Sequence, residues 1–319
     1  DRGAIPGESW DRGGRVGARL GSEGHRISIA SFDRREVEAA VAAGAELVLS
    51  CNASNRDWAA HLPAECVVIP DDPAHPETLD ETVACLESAS ARYRLDPILE
   101  PIGFGFTASL QRYLDLRRRR PEVPIMLGIG NLTELAEVDT AGMHLLLATV
   151  CQELGIGSVL TTEVANWCRS SVRELDLARR LARHAVNQRT LIKRLPLSML
   201  MLRDRKPQEP AIDFIAELAQ RITDPNVRLF TSGGQLHLLN RDGYWTGADP
   251  FALFDQFLAA AREVDAAHAF YLGYELAKAT TALTLGKQYM QDQPLDWGLL
   301  TRPESSRHDR AVSHDDGST

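Results

Sequence analysis

A chain of 319 residues can bury a sizeable core and hold one large domain with an appendage. Its formal net charge of −9 argues against a general nucleic-acid surface, and no apolar run approaches the roughly 20 residues of a membrane span. Five cysteines without Cys-x-x-Cys spacing fit a reduced, cytoplasmic protein. Nine histidines without a His-Glu-x-x-His pattern leave a zinc site unsupported, and no metal is expected.

Six strand-then-helix units run through the first 185 residues. Residues 27–32 alternate as a short strand, and 34–43 form a helix ending at Gly44. Glu-Leu-Val-Leu-Ser at 46–50 is the next strand, and 66–69 the third, followed by a long helix around 78–93. A fourth strand is placed at 97–102, ending in Gly103-Phe104-Gly105, with its helix at 108–119. Residues 124–128 and 158–162 supply the fifth and sixth strands, with helices at 140–154 and 172–184. Short apolar runs bounded by Gly and Pro signal buried parallel strands. Repeated βα units build a parallel sheet covered by helices, and in a (β/α)8 barrel the loops after the strands build the site. Six units are two short of a closed barrel. The chain starts with Asp1 and shows no strand pattern up to Pro6, so the missing two are expected before residue 1; an open six-unit sheet is the competing architecture.

Four consecutive arginines at 117–120 close a helix before Pro121, where they suit the negative end of its dipole and read as a solvated helix end. Beyond Arg194 the pattern changes to a charged, proline-rich connector. A helix at 211–221 follows, then strands at 227–231 and 235–240 joined through Ser232-Gly233-Gly234. Arg241-Asp242-Gly243 turns into Tyr244-Trp245, and helices follow at 250–264 and 267–285. The last carries Tyr271, Tyr274, Glu275 and Lys278 as a packing stripe, with Glu275 and Lys278 paired on its surface. The domain reading is a barrel at 1–190, a small α+β unit at 191–300 and a disordered tail at 301–319.

Gly7-Glu8-Ser9 resembles the Gly-Glu-Ser after the second strand of dihydropteroate synthases. Ile27-Ser28-Ile29-Ala30-Ser31-Phe32, with the helix ending Ala42-Ala43-Gly44-Ala45, resembles that family's third strand and helix. Glu100-Pro101-Ile102-Gly103-Phe104-Gly105 resembles its Asp-Pro-Gly-Ile-Gly-Phe-Gly segment. The resemblance covers residues 3–185 and fits best the dihydropteroate synthase-related, methanopterin-associated subgroup, whose C-terminal extension resembles the last unit. It makes the six strands the third to eighth of a (β/α)8 TIM barrel. It also implies a folate- or methanopterin-type pterin as ligand, and a homodimer.

The chain departs from the synthases where they are most charged. Ala30 stands where an acid is expected, Leu49-Ser50 replaces Asn-Asp, Gly130-Asn131-Leu132 replaces a lysine motif, and Leu160-Thr161-Thr162-Glu163 replaces Arg-x-His-Asp. A pterin pyrophosphate needs cations around its leaving group, so the standard synthase reaction is not expected. A pterin edge can still pair with carboxylate or amide side chains. The pterin-binding candidates are Glu8, Ser31, Ser50, Asn52, Glu100, Gly103, Gly105, Asn131 and Glu163; no catalytic residue is assigned. Each has a plainer reading: Glu8 as a helix cap, Asn131 as a helix start, Glu163 as a partner of Arg169 or Arg173, and the glycines as a tight turn. Asn131 also resembles the Asn after strand seven in methyltetrahydrofolate-dependent corrinoid methyltransferases. Three functions stay open: group transfer at a pterin, pterin-dependent methyl transfer, and a non-catalytic barrel subunit.

Overall fold

The computed structural model describes residue 17 and residues 19–260 and 264–304. The chain forms two compact units that part between Leu197 and Ser198.

In the first unit, β1 (Ile27–Ala30), β2 (Ala45–Cys51), β3 (Glu65–Val68) and β4 (Tyr93–Leu95) form a parallel sheet in chain order. The strands β5 (Met126–Gly128) and β6 (Ser158–Leu160) also pair in parallel. A parallel bridge from Leu95 to Ile125 and a 2.9 Å bond from the Leu95 amide to the Pro124 carbonyl join the two sets. Six parallel strands in sequence order are singly wound: every crossover turns the same way, unlike a doubly wound sheet, whose order reverses at its middle. The crossovers are α1 (Arg34–Ala42), α2 (Arg56–Ala59), α3 (Thr78–Ser88), α4 (Phe106–Arg119), α5 (Gly130–Thr133) and α6 (Ala141–Leu154), and α7 (Ser171–Gln188) follows β6. Val48, Val68, Leu95 and Leu127 of the strands share one core with Leu79, Leu86, Tyr113 and Leu116 of the helices, all almost fully buried. Burying each such leucine contributes about 1.5–3 kcal/mol.

One predicted unit is displaced. The helix expected at 78–93 ends at Ser88, and the fourth strand is Tyr93–Leu95 rather than 97–102. Ser90 enters the left-handed region (φ 55°) and ends the helix. Pro97 and Pro101 supply no amide to a ladder, so residues 97–102 cannot pair as a central strand. Glu100 therefore lies in the loop after β4 and not at a strand end.

The arginine run is not a solvated helix end. Arg117 donates to five carbonyls: Leu154 at 2.7 Å, Gly155 at 3.2 Å, Arg120 at 3.3 Å, Pro121 at 2.7 Å and Val123 at 3.0 Å. It thus ties the end of α4 to the end of α6. Arg119 and Arg120 pair with Asp80 on α3 at 3.1 and 2.8 Å.

The second unit is a three-stranded antiparallel meander: β7 (Arg228–Ser232), β8 (Gln235–Asn240) and β9 (Gly243–Gly247). Gly233 and Gly234, at φ 57° and 75°, make the first turn, a pair of left-handed positions that favours glycine. The third strand is an element that the sequence pattern showed only as a turn into Tyr244-Trp245. With the sheet go α8 (Ile212–Arg221), α9 (Pro250–Ala260) and α10 (Ala266–Leu285). Leu229, Leu236 and Leu238 pack with Leu253, Phe257, Leu272 and Leu276. The expected surface pair of Glu275 and Lys278 is a buried one, 2.8 Å apart. Tyr289 donates to the other Glu275 oxygen at 2.7 Å, and Lys278 also reaches Glu304 at 3.2 Å. Lys287, almost fully buried, donates to the Met201 carbonyl at 2.9 Å and stacks 4.5 Å from the Trp297 ring. No helix among the described residues is long and apolar enough to cross a membrane.

Replacing Arg117 by Ala strands the carbonyls it holds. The expected loss is about 2–3 kcal/mol, since hydrogen bonds to charged groups contribute about 1.5–3 kcal/mol each and only some of these sites regain water; urea denaturation of the two proteins measures it.

Candidate functional site

The parallel winding delivers the loops after all six strands to one rim. At the end of β4 stands Asp96, its amide bonded to the Val68 carbonyl at 2.8 Å. Its Oδ1 accepts from the Tyr113 hydroxyl at 2.6 Å and from the Ile98 amide at 2.8 Å. Its Oδ2 has no hydrogen-bond partner among the described residues and lies 3.8 Å from where a Cβ on Gly128, the end of β5, would stand. Loss of hydration pushes the Asp96 carboxyl up to about 6, against the lowering pull of the Tyr113 and Ile98 hydrogen bonds. Asp96 still keeps an opening to solvent.

The neighbouring loop is held by Arg112 of α4. Its guanidinium meets Glu100 at 2.8 Å and donates to the Pro97 and Ile98 carbonyls at 3.2 and 2.9 Å. Gly105, at φ 112°, lets the chain pass Glu100 so closely that a Cβ there would stand 2.9 Å from the carboxylate. Gly103 has φ 90°, and Phe104 between the two glycines is 76% exposed. The Asn131 amide donates to the Leu99 carbonyl at 2.8 Å, fastening the start of α5 to the same loop. Asp96, Glu100, Gly105 and Asn131 are therefore linked through one loop.

The other predicted residues serve their own loops. Ser31 donates to Glu36 at 2.6 Å and accepts the Asp33 amide at 3.0 Å, shaping the start of α1. Asn52 accepts from the Ser54 amide and hydroxyl at 3.0 and 2.7 Å. The Ser50 carbonyl takes the amide of buried Asn55 at 2.8 Å. Glu163 accepts the Val172 amide at 3.0 Å, so it caps the first turn of α7, where an arginine partner was the plainer expectation. Glu8 lies outside the described residues.

Asp96 escaped detection because the strand was expected to start at 97, four residues later than it does at Tyr93. Its signal was a carboxylate closing the Tyr-Arg-Leu run immediately before Pro97. A second cluster also went unseen. Buried His144 on α6 places Nδ1 3.0 Å from both Glu174 of α7 and the Thr140 carbonyl, and Nε2 3.4 Å from the Thr161 hydroxyl. Burial works to raise the Glu174 carboxyl, but hydrogen bonds from His144, Ser170 and Thr140 prevail and hold it below its ordinary value. Among the described residues no group of three or more His, Cys, Asp or Glu side chains is arranged to hold a metal.

Residues 222–292 match the family model PterinBD-DUF4346. An uncharacterized protein of Methanocaldococcus jannaschii is 26% identical over 305 residues, covering 83% of this chain. The chain spans 57% of that protein's length. Similar solved structures include the dihydropteroate synthase of Burkholderia cenocepacia, at 19% identity and a TM-score of 0.42 over 58% of this chain and 81% of that one. Another is the Yersinia pestis enzyme with a pterine-sulfa conjugate, at 17% identity and a TM-score of 0.44 over 59% and 79%.

An acid whose carboxyl is raised on folding binds its proton at higher pH when folded than when unfolded. Asp96 thus adds stability as pH falls through about 6 toward the ordinary aspartate range. Asp96→Asn is expected to remove that rise, so the variant's melting temperature should fall relative to that of wild type from pH 8 to pH 5; thermal scans across that range check it.

Proposed function

We propose that the first unit binds a reduced pterin at its strand ends, within a barrel that two further strands preceding β1 complete, and that it acts in folate- or tetrahydromethanopterin-type cofactor metabolism by group transfer at the pterin. The observation that carries this reading is the open oxygen of Asp96, beside Gly128 and next to the loop that Asn131 and Arg112 hold. A pterin presents an amide N–H and an amino group on one edge, and a carboxylate accepts from both types of donor. The family match at 222–292 supports the pterin class. Glu100, already paired with Arg112, serves this site as a brace more than as a ligand. The cations that a pyrophosphate leaving group requires are missing from the strand-end motifs, which favours a transfer that does not expel pyrophosphate. The free cysteines support a reducing, cytoplasmic setting, and a homodimer belongs to the same reading.

Titration calorimetry of the full chain against dihydropterin, tetrahydrofolate and tetrahydromethanopterin tests this. Saturable binding of one of them is expected, and Asp96→Asn should weaken it about tenfold or more, roughly the 1.4 kcal/mol of one good hydrogen bond. Asn131→Ala should weaken it less, by loosening the Leu99 loop. Binding of none of the three by wild type removes the reading.

A further inference from the structure

The use of one Asp96 oxygen and not the other is decided by a residue outside the rim. We propose that Tyr113 is a positioning residue: with the Ile98 amide it occupies Oδ1 of Asp96 and so presents Oδ2, over Gly128, as the acceptor for a ligand N–H. Tyr113 is fully buried on α4, and its hydroxyl donates to Oδ1 at 2.6 Å. Burial, then the charge and hydrogen bond of Asp96, push the phenol well above its ordinary range, so it remains a donor at all working pH. A hydroxyl that can only donate favours the ionised carboxylate, the form with a lone pair to offer a ligand N–H. Saturating one oxygen also fixes the plane of the carboxylate. A rotating carboxylate would lose that freedom on binding; this one has already lost it.

Few other ionisable groups bear on the pair. From α4 comes Arg112, held by Glu100 and the loop carbonyls. From α6 comes Cys151, whose thiol burial pushes up to about 12, so it stays neutral. β5 contributes Gly128, without a side chain.

Selective 13C labelling of aspartate carboxyls in the full chain tests the coupling without any ligand, with Asp96→Asn assigning the signal. The expected Asp96 midpoint is about 6. Tyr113→Phe keeps the ring and deletes only the donor, so the midpoint should move up by about one unit, a tenfold change in proton affinity. A second readout leaves Tyr113 in place: its 13Cζ signal should shift between pH 5 and 7 as Asp96 titrates, and should stay still in Asp96→Asn. An unmoved midpoint, or a 13Cζ signal indifferent to Asp96, overturns the proposal.

The ligand arm rests on the pterin reading. With the pterin that binds wild type, Tyr113→Phe should lose about fivefold in affinity at pH 6 and about twofold or less at pH 8.5, where the carboxylate is ionised in both proteins. Equal losses at both pH values mark a merely structural role and overturn it. A shifted midpoint in a protein that binds no pterin removes the pterin reading and keeps the Tyr113–Asp96 coupling.

Discussion

A parallel strand can be followed by another only if the chain crosses back over the sheet, and each crossing here runs through a helix. That constraint organises the first unit. It sends every strand out at the same rim, keeps the apolar Val48, Val68, Leu95 and Leu127 under the helices, and leaves the turns after the strands as the natural place for polar groups. Because the order is 1 to 6 without reversal, the rim is one continuous arc and has no switch-point crevice of the kind a doubly wound sheet offers.

Along that arc most polar side chains are committed. Ser31, Asn52, Asn55 and Glu163 each bond their own loop, and Glu100 is neutralised by Arg112. These contacts give short loops a fixed shape at the point where backbone amides would otherwise be unpaired. Against that background Asp96 differs, since it is half-satisfied and only partly open to solvent. An uncompensated carboxylate oxygen in such a place costs stability, and such costs gather where a ligand completes the bonding.

The strands rich in Val and Leu, such as Glu-Leu-Val-Leu-Ser in β2, were legible because their apolar runs are bounded by glycine or turn residues. β4 was not. Tyr-Arg-Leu has no such run, and the apolar Pro97, Ile98 and Leu99 beyond it imitate a strand that the prolines forbid. The same displacement drew attention to Glu100 and away from Asp96. Helix ends were read well where Gly155 and Gly286 take left-handed conformations. What charges do was read worst. Neither the carbonyls gathered by Arg117 nor the burial of Glu275 and Lys278 can be seen from spacing, because both depend on elements distant in sequence.

The buried charges of the second unit also constrain how its sequence can drift. Glu275, Lys278 and Tyr289 satisfy one another, while Lys287 is satisfied by Met201, Asp204 and Trp297. Losing one member strands the others in an apolar interior, whereas replacing a whole set by apolar residues of similar volume is tolerated. Evolution therefore meets these positions as linked blocks. Homologous second units should keep each set intact or lose it together, and chimaeras that splice residues 198–210 of one relative onto the 275–297 segment of another should fold only when both come from the same kind of block.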